Sequence, residues 1–136
     1  MLEAYAVNQT FTANSVVPFT SVSLIKGETA VLTGTSSIQL NRAGVYMVTA
    51  VFTGTPAAAG AATIQMTKDG VVQPQATITD PTVLTTVGVT LPISTLVQVS
   101  ESNSCCCCKA PTVLQFVNAG VGLNNAASHV TVTKIC

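Results

Sequence analysis

Stiff, β-branched side chains recur along this chain in short runs, and turn-forming residues interrupt them roughly every eight to twelve positions. The 20 Val, 6 Ile and 21 Thr make up about a third of the 136 residues. Such side chains lose little rotamer freedom on a pleated surface and more in a helix. Good helix formers other than Ala are scarce, and the one Ala cluster, Ala57 to Ala62, is preceded by Pro56 and broken by Gly60. It reads as a loop. The spacing of the runs fits an antiparallel sandwich or barrel rather than alternating strands and helices. Strands are expected near residues 4–8, 15–19, 21–25, 29–32, 37–40, 44–54, 61–68, 71–79, 82–91, 95–101, 112–118 and 128–135, some of the early ones merging into about ten in all.

Composition then removes whole classes of function. Charged residues are 7% of the chain, the five basic and five acidic side chains cancel, and no basic patch exists to hold a phosphate backbone. A nucleic-acid partner is therefore not expected. Hydrophobic residues make up 48%, yet Thr, Ser, Gly and Pro interrupt every apolar stretch before it reaches the length of a spanning helix. Membrane insertion is not expected either. The opening Met-Leu-Glu-Ala-Tyr has neither the positive segment nor the apolar run of a signal peptide.

Two periodicities separate the strands. In Thr63-Ile64-Gln65-Met66-Thr67-Lys68 apolar and polar residues alternate, and Asp69-Gly70 then supplies the positive φ of a two-residue hairpin turn. Val130-Thr131-Val132-Thr133 alternates as well, as befits a strand with one face in a core and one in water. The stretch 44–52 is apolar on both faces: Tyr46, Val48, Ala50 and Phe52 on one, Val45, Met47 and Val51 on the other. A two-sheet domain buries one face of each strand internally. The second face of this strand needs another cover, either a partner chain or a long loop of the same chain.

The order of these pieces resembles a known family. Asn41-Arg42-Ala43-Gly44-Val45-Tyr46-Met47-Val48 is similar to the strand opening "aG-x-Y-x-V" of the C1q and tumour-necrosis-factor-like jelly roll, in particular the C-terminal domain of bacterial collagen-like spore-surface (exosporium) glycoproteins. Ser37-Ile38-Gln39-Leu40 stands just before it, as a short strand does in that family. Lys68-Asp69-Gly70-Val71-Val72-Gln73-Pro74 resembles its "N-G-x-x-V-P-G" hairpin, with Asp and Gln in place of the usual Asn and Gly. Ala127-Ser128-His129-Val130-Thr131-Val132-Thr133-Lys134-Ile135 is similar to its closing "A-S-L-x-I-x-K-I" strand. The resemblance implies an all-β, antiparallel jelly-roll sandwich of about ten strands, a single domain over residues 1–136, forming homotrimers at the end of a collagen-like stalk. No Gly-X-Y repeat occurs in the chain itself.

One departure from that family is a cysteine-rich loop over residues 101–111, where a short turn is usual. It carries Cys105, Cys106, Cys107 and Cys108 in a row, and Cys136 is the last residue. Adjacent cysteines pair poorly, because a disulfide demands a particular Cβ separation and dihedral. In an extended loop, alternate cysteines would lie about 6.5 Å apart. That spacing is unlike the C-x-x-C of zinc sites, so no metal or other cofactor is expected. Five is an odd number, so even a closed trimer leaves a thiol unpaired, capped or linked to another trimer. Cross-linking, between protomers or to other trimers or surface-layer proteins, and reduced thiols in the loop both stay open.

Catalytic constellations are missing. His129 stands alone as the only His and reads as a surface or interface residue at the start of the last strand. The acids Glu3, Glu28, Asp69, Asp80 and Glu101 are too scattered for a paired-carboxylate or calcium site. Asn8-Gln9-Thr10 fits a glycosylation sequon but falls in a strand, and reads as chance. The expectation is a non-enzymatic assembly module of a cell or spore surface filament. Its alternative is a receptor- or glycan-binding tip of a phage fibre or adhesin at a virion surface.

Overall fold

The alternation read from the sequence becomes two antiparallel sheets packed face to face. The computed structural model describes residues 1–27, 29–99 and 112–135. Its strands are β1 (Leu2–Phe11), β2 (Ser15–Val16), β3 (Ser21–Ile25), β4 (Ala30–Thr33), β5 (Ser37–Leu40), β6 (Gly44–Pro56), β7 (Gly60–Lys68), β8 (Val71–Val83), β9 (Val89–Val99), β10 (Thr112–Asn118) and β11 (Leu123–Lys134). Sheet 1 has the order β3-β1-β11-β6-β9; sheet 2 has the order β4-β5-β10-β7-β8, with β2 also paired to β10. From β5 onward the chain crosses between the sheets at every connection except the β7–β8 hairpin. That is the path of a jelly roll.

The inner faces interlock in one core. Tyr46, Val48, Ala50 and Phe52 of β6 and Val130 and Val132 of β11 point from sheet 1 toward Ile64 and Met66 of β7 and Leu114 and Phe116 of β10, all fully buried. Phe19, Phe52 and Phe116 form a triangle of rings with centroids 5.2–6.3 Å apart. Each such pair adds about 0.5–1.5 kcal/mol to the burial of its area.

Local chemistry agrees with the topology at the turns and edges. Asp69 and Gly70 have φ of 51° and 83°, the two positive values of the hairpin turn the sequence predicts. The Asp69 carboxylate also accepts a hydrogen bond from the Val113 amide at 2.9 Å, which ties this turn to β10. Pro74 and Pro81 lie on β8 and Pro92 on β9, each strand at the end of its sheet, where a missing amide donor costs no ladder bond. Gly120 sits so near β7 that a Cβ would stand 2.5 Å from the Ala61 carbonyl and the Thr63 amide. Only glycine lets the β10–β11 connection make its bonds from Ala119 to Thr63 and from Val121 to Ala61, both 2.9 Å. Buried Asn118 holds the same corner. Its side-chain amide donates to the carbonyls of Phe11 and Val121 at 3.1 and 3.0 Å, and its oxygen accepts from the Gly120 amide at 3.1 Å.

Some expectations need correction. A single strand over 82–91 does not exist: β8 ends at Val83, residues 84–88 turn, and β9 begins at Val89. The Val/Thr pattern runs through this turn unbroken, but Val83 pairs with Gly60 in sheet 2 and Val89 with Gly54 in sheet 1, so the chain must leave one sheet and join the other here. The strand expected at 95–101 is the later part of that same β9. The strand expected at 15–19 is only Ser15–Val16; Val17 and Phe19 are buried without a sheet ladder. The Ala57 to Ala62 loop is shorter than expected, because β7 already starts at Gly60. β1 extends past 4–8 in both directions and carries a bulge at Asn8, whose φ is 55°. β11 begins at Leu123, which places His129 in mid-strand. The cysteine loop, with Cys105, Cys106, Cys107 and Cys108, and Cys136 lie outside the described residues.

Candidate self-association face

The two sheets differ in the large apolar side chains they leave outward. On sheet 2, Gln39, Thr63, Gln65 and Gln115 face outward; the Thr63 and Thr79 hydroxyls are 3.0 Å apart, and the Gln115 amide donates to the Ser37 hydroxyl at 2.8 Å. Val31 and Val113 flank Gln39, and Val117 lies opposite Gln65, all three half-buried. On sheet 1 the outward positions carry Tyr5 and Val7 of β1, Val45, Met47 and Val51 of β6, and Pro92 and Leu96 of β9.

Cross-strand register assembles these residues into rows. Tyr5 lies opposite His129, His129 opposite Val51, and Val51 opposite Pro92. One row nearer the chain ends, Glu3, Thr131, Thr49 and Ser94 stand side by side; next come Thr133, Met47 and Leu96. Met47 is 44% exposed and Leu96 57%. On the outer face of β6, Met47 is exposed, Val45 and Val51 are half-buried, and Thr49 stands between Met47 and Val51. Val45, Met47 and Val51 stand on this outer face, whereas Tyr46, Val48, Ala50 and Phe52 belong to the core.

One polar contact sits near the middle of the face, where sequence reasoning left its residues unconnected. His129 Nε2 and Glu3 Oε1 are 3.2 Å apart, with side chains 47% and 38% exposed. The hydrogen bond from His129 holds the Glu3 carboxyl below its ordinary range, and the Ser23 hydroxyl adds to the effect. Each residue alone is a lone charge in the sequence. Only the antiparallel register of β1 and β11 brings them together.

The remaining candidates are placed as follows. The acids Asp69 and Asp80 are far apart in sheet 2, and among the described residues no group of three His, Cys, Asp or Glu is arranged to hold a metal ion. No helix of the described residues is long and apolar enough to cross a membrane. A cleft of about 270 Å³ opens beside the β8–β9 turn, lined by Asp80, Thr82, Leu84, Val87 and Thr90 among others. Its lining has no aromatic ring on which a sugar would stack. Both stems of the cysteine loop emerge at one end of the sandwich: Val99 pairs with Gly44, Thr112 pairs with Leu40, and the Ile135 amide bonds the neighbouring Val45 carbonyl.

Comparison with known proteins bears on the fold. No protein-family model and no curated protein sequence matches the chain. Among solved structures, the vertex protein P5 of PRD1 superposes with a TM-score of 0.66 at 18% identity, covering 99% of this chain and 96% of that one. Murine APRIL superposes with a TM-score of 0.58 at 8% identity, covering 98% of each chain. A second structure of murine APRIL, at pH 5.0, gives the same TM-score at 5% identity. With the strand order described above, these likenesses establish a jelly-roll fold of the tumour-necrosis-factor-like kind.

Proposed function

We propose that this chain is a self-assembling structural head domain, three copies meeting through the outer face of sheet 1, displayed on the outside of a particle or cell. The observation that carries the reading is the contrast between the two outer faces. Sheet 2 presents Gln39, Thr63, Gln65 and Gln115 with half-buried Val31, Val113 and Val117 between them, while sheet 1 leaves Tyr5, Val7, Met47 and Leu96 exposed, with Val51 half-buried, around the Glu3–His129 contact. Burial of that apolar area at about 25 cal/mol per Å² is the driving term. Three copies follow from the resemblance to C1q and tumour-necrosis-factor-like domains. An isologous pair of the same faces is the competing geometry.

The match to a vertex protein over nearly the whole of both chains favours the virion surface over the spore surface as the setting. The collagen-like stalk rests on the sequence resemblance alone. Cross-linking through Cys105, Cys106, Cys107, Cys108 and Cys136, which lie outside the described residues, rests on the cysteine count of the sequence alone. The lining of the β8–β9 cleft gives the glycan-binding alternative no support.

Native mass spectrometry on protein purified without reductant or chelator tests the proposal in one spectrum. A trimer mass is expected, with heavier linked species that collapse to it on adding reductant. A monomer at micromolar concentration would overturn the reading of sheet 1, and trimers insensitive to reductant would overturn the cross-linking.

A further inference from the structure

We propose that the Glu3–His129 pair makes self-association through sheet 1 dependent on pH, with assembly taking up a proton on His129. This rests on the reading above that copies meet through this face. The pair stands in the middle rows of the sheet, on two neighbouring strands, and its two side chains are 3.2 Å apart.

What surrounds the pair decides how it responds to burial. On β6, His129 faces Val51, with Thr49 and Thr53 to either side, and β9 adds Pro92 and Ser94 behind them. On β1 its neighbours are Glu3 and the phenol of Tyr5, and β3 brings Ser21, Ser23 and Leu24 alongside. The other charged groups of this sheet stand at its margin: Lys134 at the end of β11, and Lys26 with the Met1 amino group beyond β3 and β1. Among the described residues, no cation other than a protonated His129 acts on Glu3.

In the separated chain both side chains are solvated and their mutual attraction counts for little. Covering them with a second apolar face changes this. With His129 neutral, each buried copy carries a carboxylate that has a hydrogen-bond donor and no countercharge, and a closed ring gathers one from every protomer. Protonation of His129 turns each into a neutral, charge-assisted pair. Assembly therefore favours the protonated imidazole, and association tightens as the solution becomes more acidic. The opposite limb follows from the acid. Glu3 is held ionised below the ordinary carboxylate range by His129 and Ser23, so its protonation, which strands a cationic His129 in the interface, weakens association only in more acid solution than an ordinary carboxylate would. Each proton taken up changes the association constant by up to tenfold per pH unit.

Sedimentation velocity of the full chain between pH 8 and pH 5, at constant ionic strength and with circular dichroism at each pH, tests this against two variants. The wild type is expected to associate more tightly at pH 5.5 than at pH 8, His129→Gln to show no slope, and Glu3→Gln to reverse it, because burial then opposes an uncompensated imidazolium. A wild-type association independent of pH, or a His129→Gln variant that keeps the wild-type slope, overturns the proposal. A chain that stays monomeric at every pH overturns the self-association reading itself; association that responds to Met47 and Leu96 substitutions but not to pH overturns this inference alone.

Discussion

Replacing Met47 and Leu96 together by serine separates the face of sheet 1 from the fold that carries it. The two side chains lie opposite each other on β6 and β9, 44% and 57% exposed in the isolated chain. Taking about 190 Å² for a fully exposed side chain of this size, they leave about 190 Å² between them for a partner to cover, worth about 5 kcal/mol per protomer at about 25 cal/mol per Å². That corresponds to roughly a thousandfold or more in the association constant for each protomer. The cost to the separated chain is far smaller, about 0.5 kcal/mol or less per site, because neither residue packs in the core. Val71→Ser with Val72→Ser is the matched control: these residues are 64% and 43% exposed on the β7–β8 hairpin, away from the sheet 1 face. Sedimentation velocity over a concentration series, with thermal unfolding of each variant, reads both quantities. The expected result is a folded monomer for the Met47 and Leu96 variant and unchanged assembly for the control. Assembly of the double variant at wild-type affinity, or equal weakening by the control, would refute the assignment of the face.

Three further outcomes check the fold and its titrating groups. Phe116→Ala removes one ring of the buried triangle and is expected to cost about 3–5 kcal/mol in urea unfolding, with Phe116→Leu costing less than half of that. Asn118→Ala leaves the Phe11 and Val121 carbonyls and the Gly120 amide without their partner, so a loss of about 2–4 kcal/mol is expected, read together with faster hydrogen exchange at the β10–β11 connection. Burial raises the Tyr46 phenol above its ordinary value, against an opposing contribution from Arg42, whose carbonyl accepts the hydroxyl's hydrogen bond at 2.7 Å. A raised folded-state value means that its stabilisation is complete below about pH 10 and is lost as pH climbs through the folded value. Tyr46→Phe should therefore be about 1 kcal/mol less stable at neutral pH, and the gap to wild type should narrow above about pH 10.

Much of this molecule is legible one strand at a time. The Asp69-Gly70 hairpin and the strand from Thr63 to Lys68 depend on a period of two within a few consecutive residues, and both stand in the structure as read. The boundary between β8 and β9 escaped that logic. Val83 and Val89 look like members of one run, and what divides them is that their partners, Gly60 and Gly54, belong to different sheets. The buried segment around Val17 and Phe19 escaped it too, since Phe19 earns its place by meeting Phe52 and Phe116 and not by a ladder.

What the amino-acid order determined by itself is therefore the strand content, the surest hairpin and the fact that one strand has more apolar surface than a two-sheet core can absorb. Those properties are local, set by side-chain alternation and backbone preference. Which sheet that strand joins, which face is left uncovered, and that Glu3 meets His129 on it were decided only by the tertiary structure. Each depends on register between strands at opposite ends of the chain, and register is chosen by the packing of the whole core.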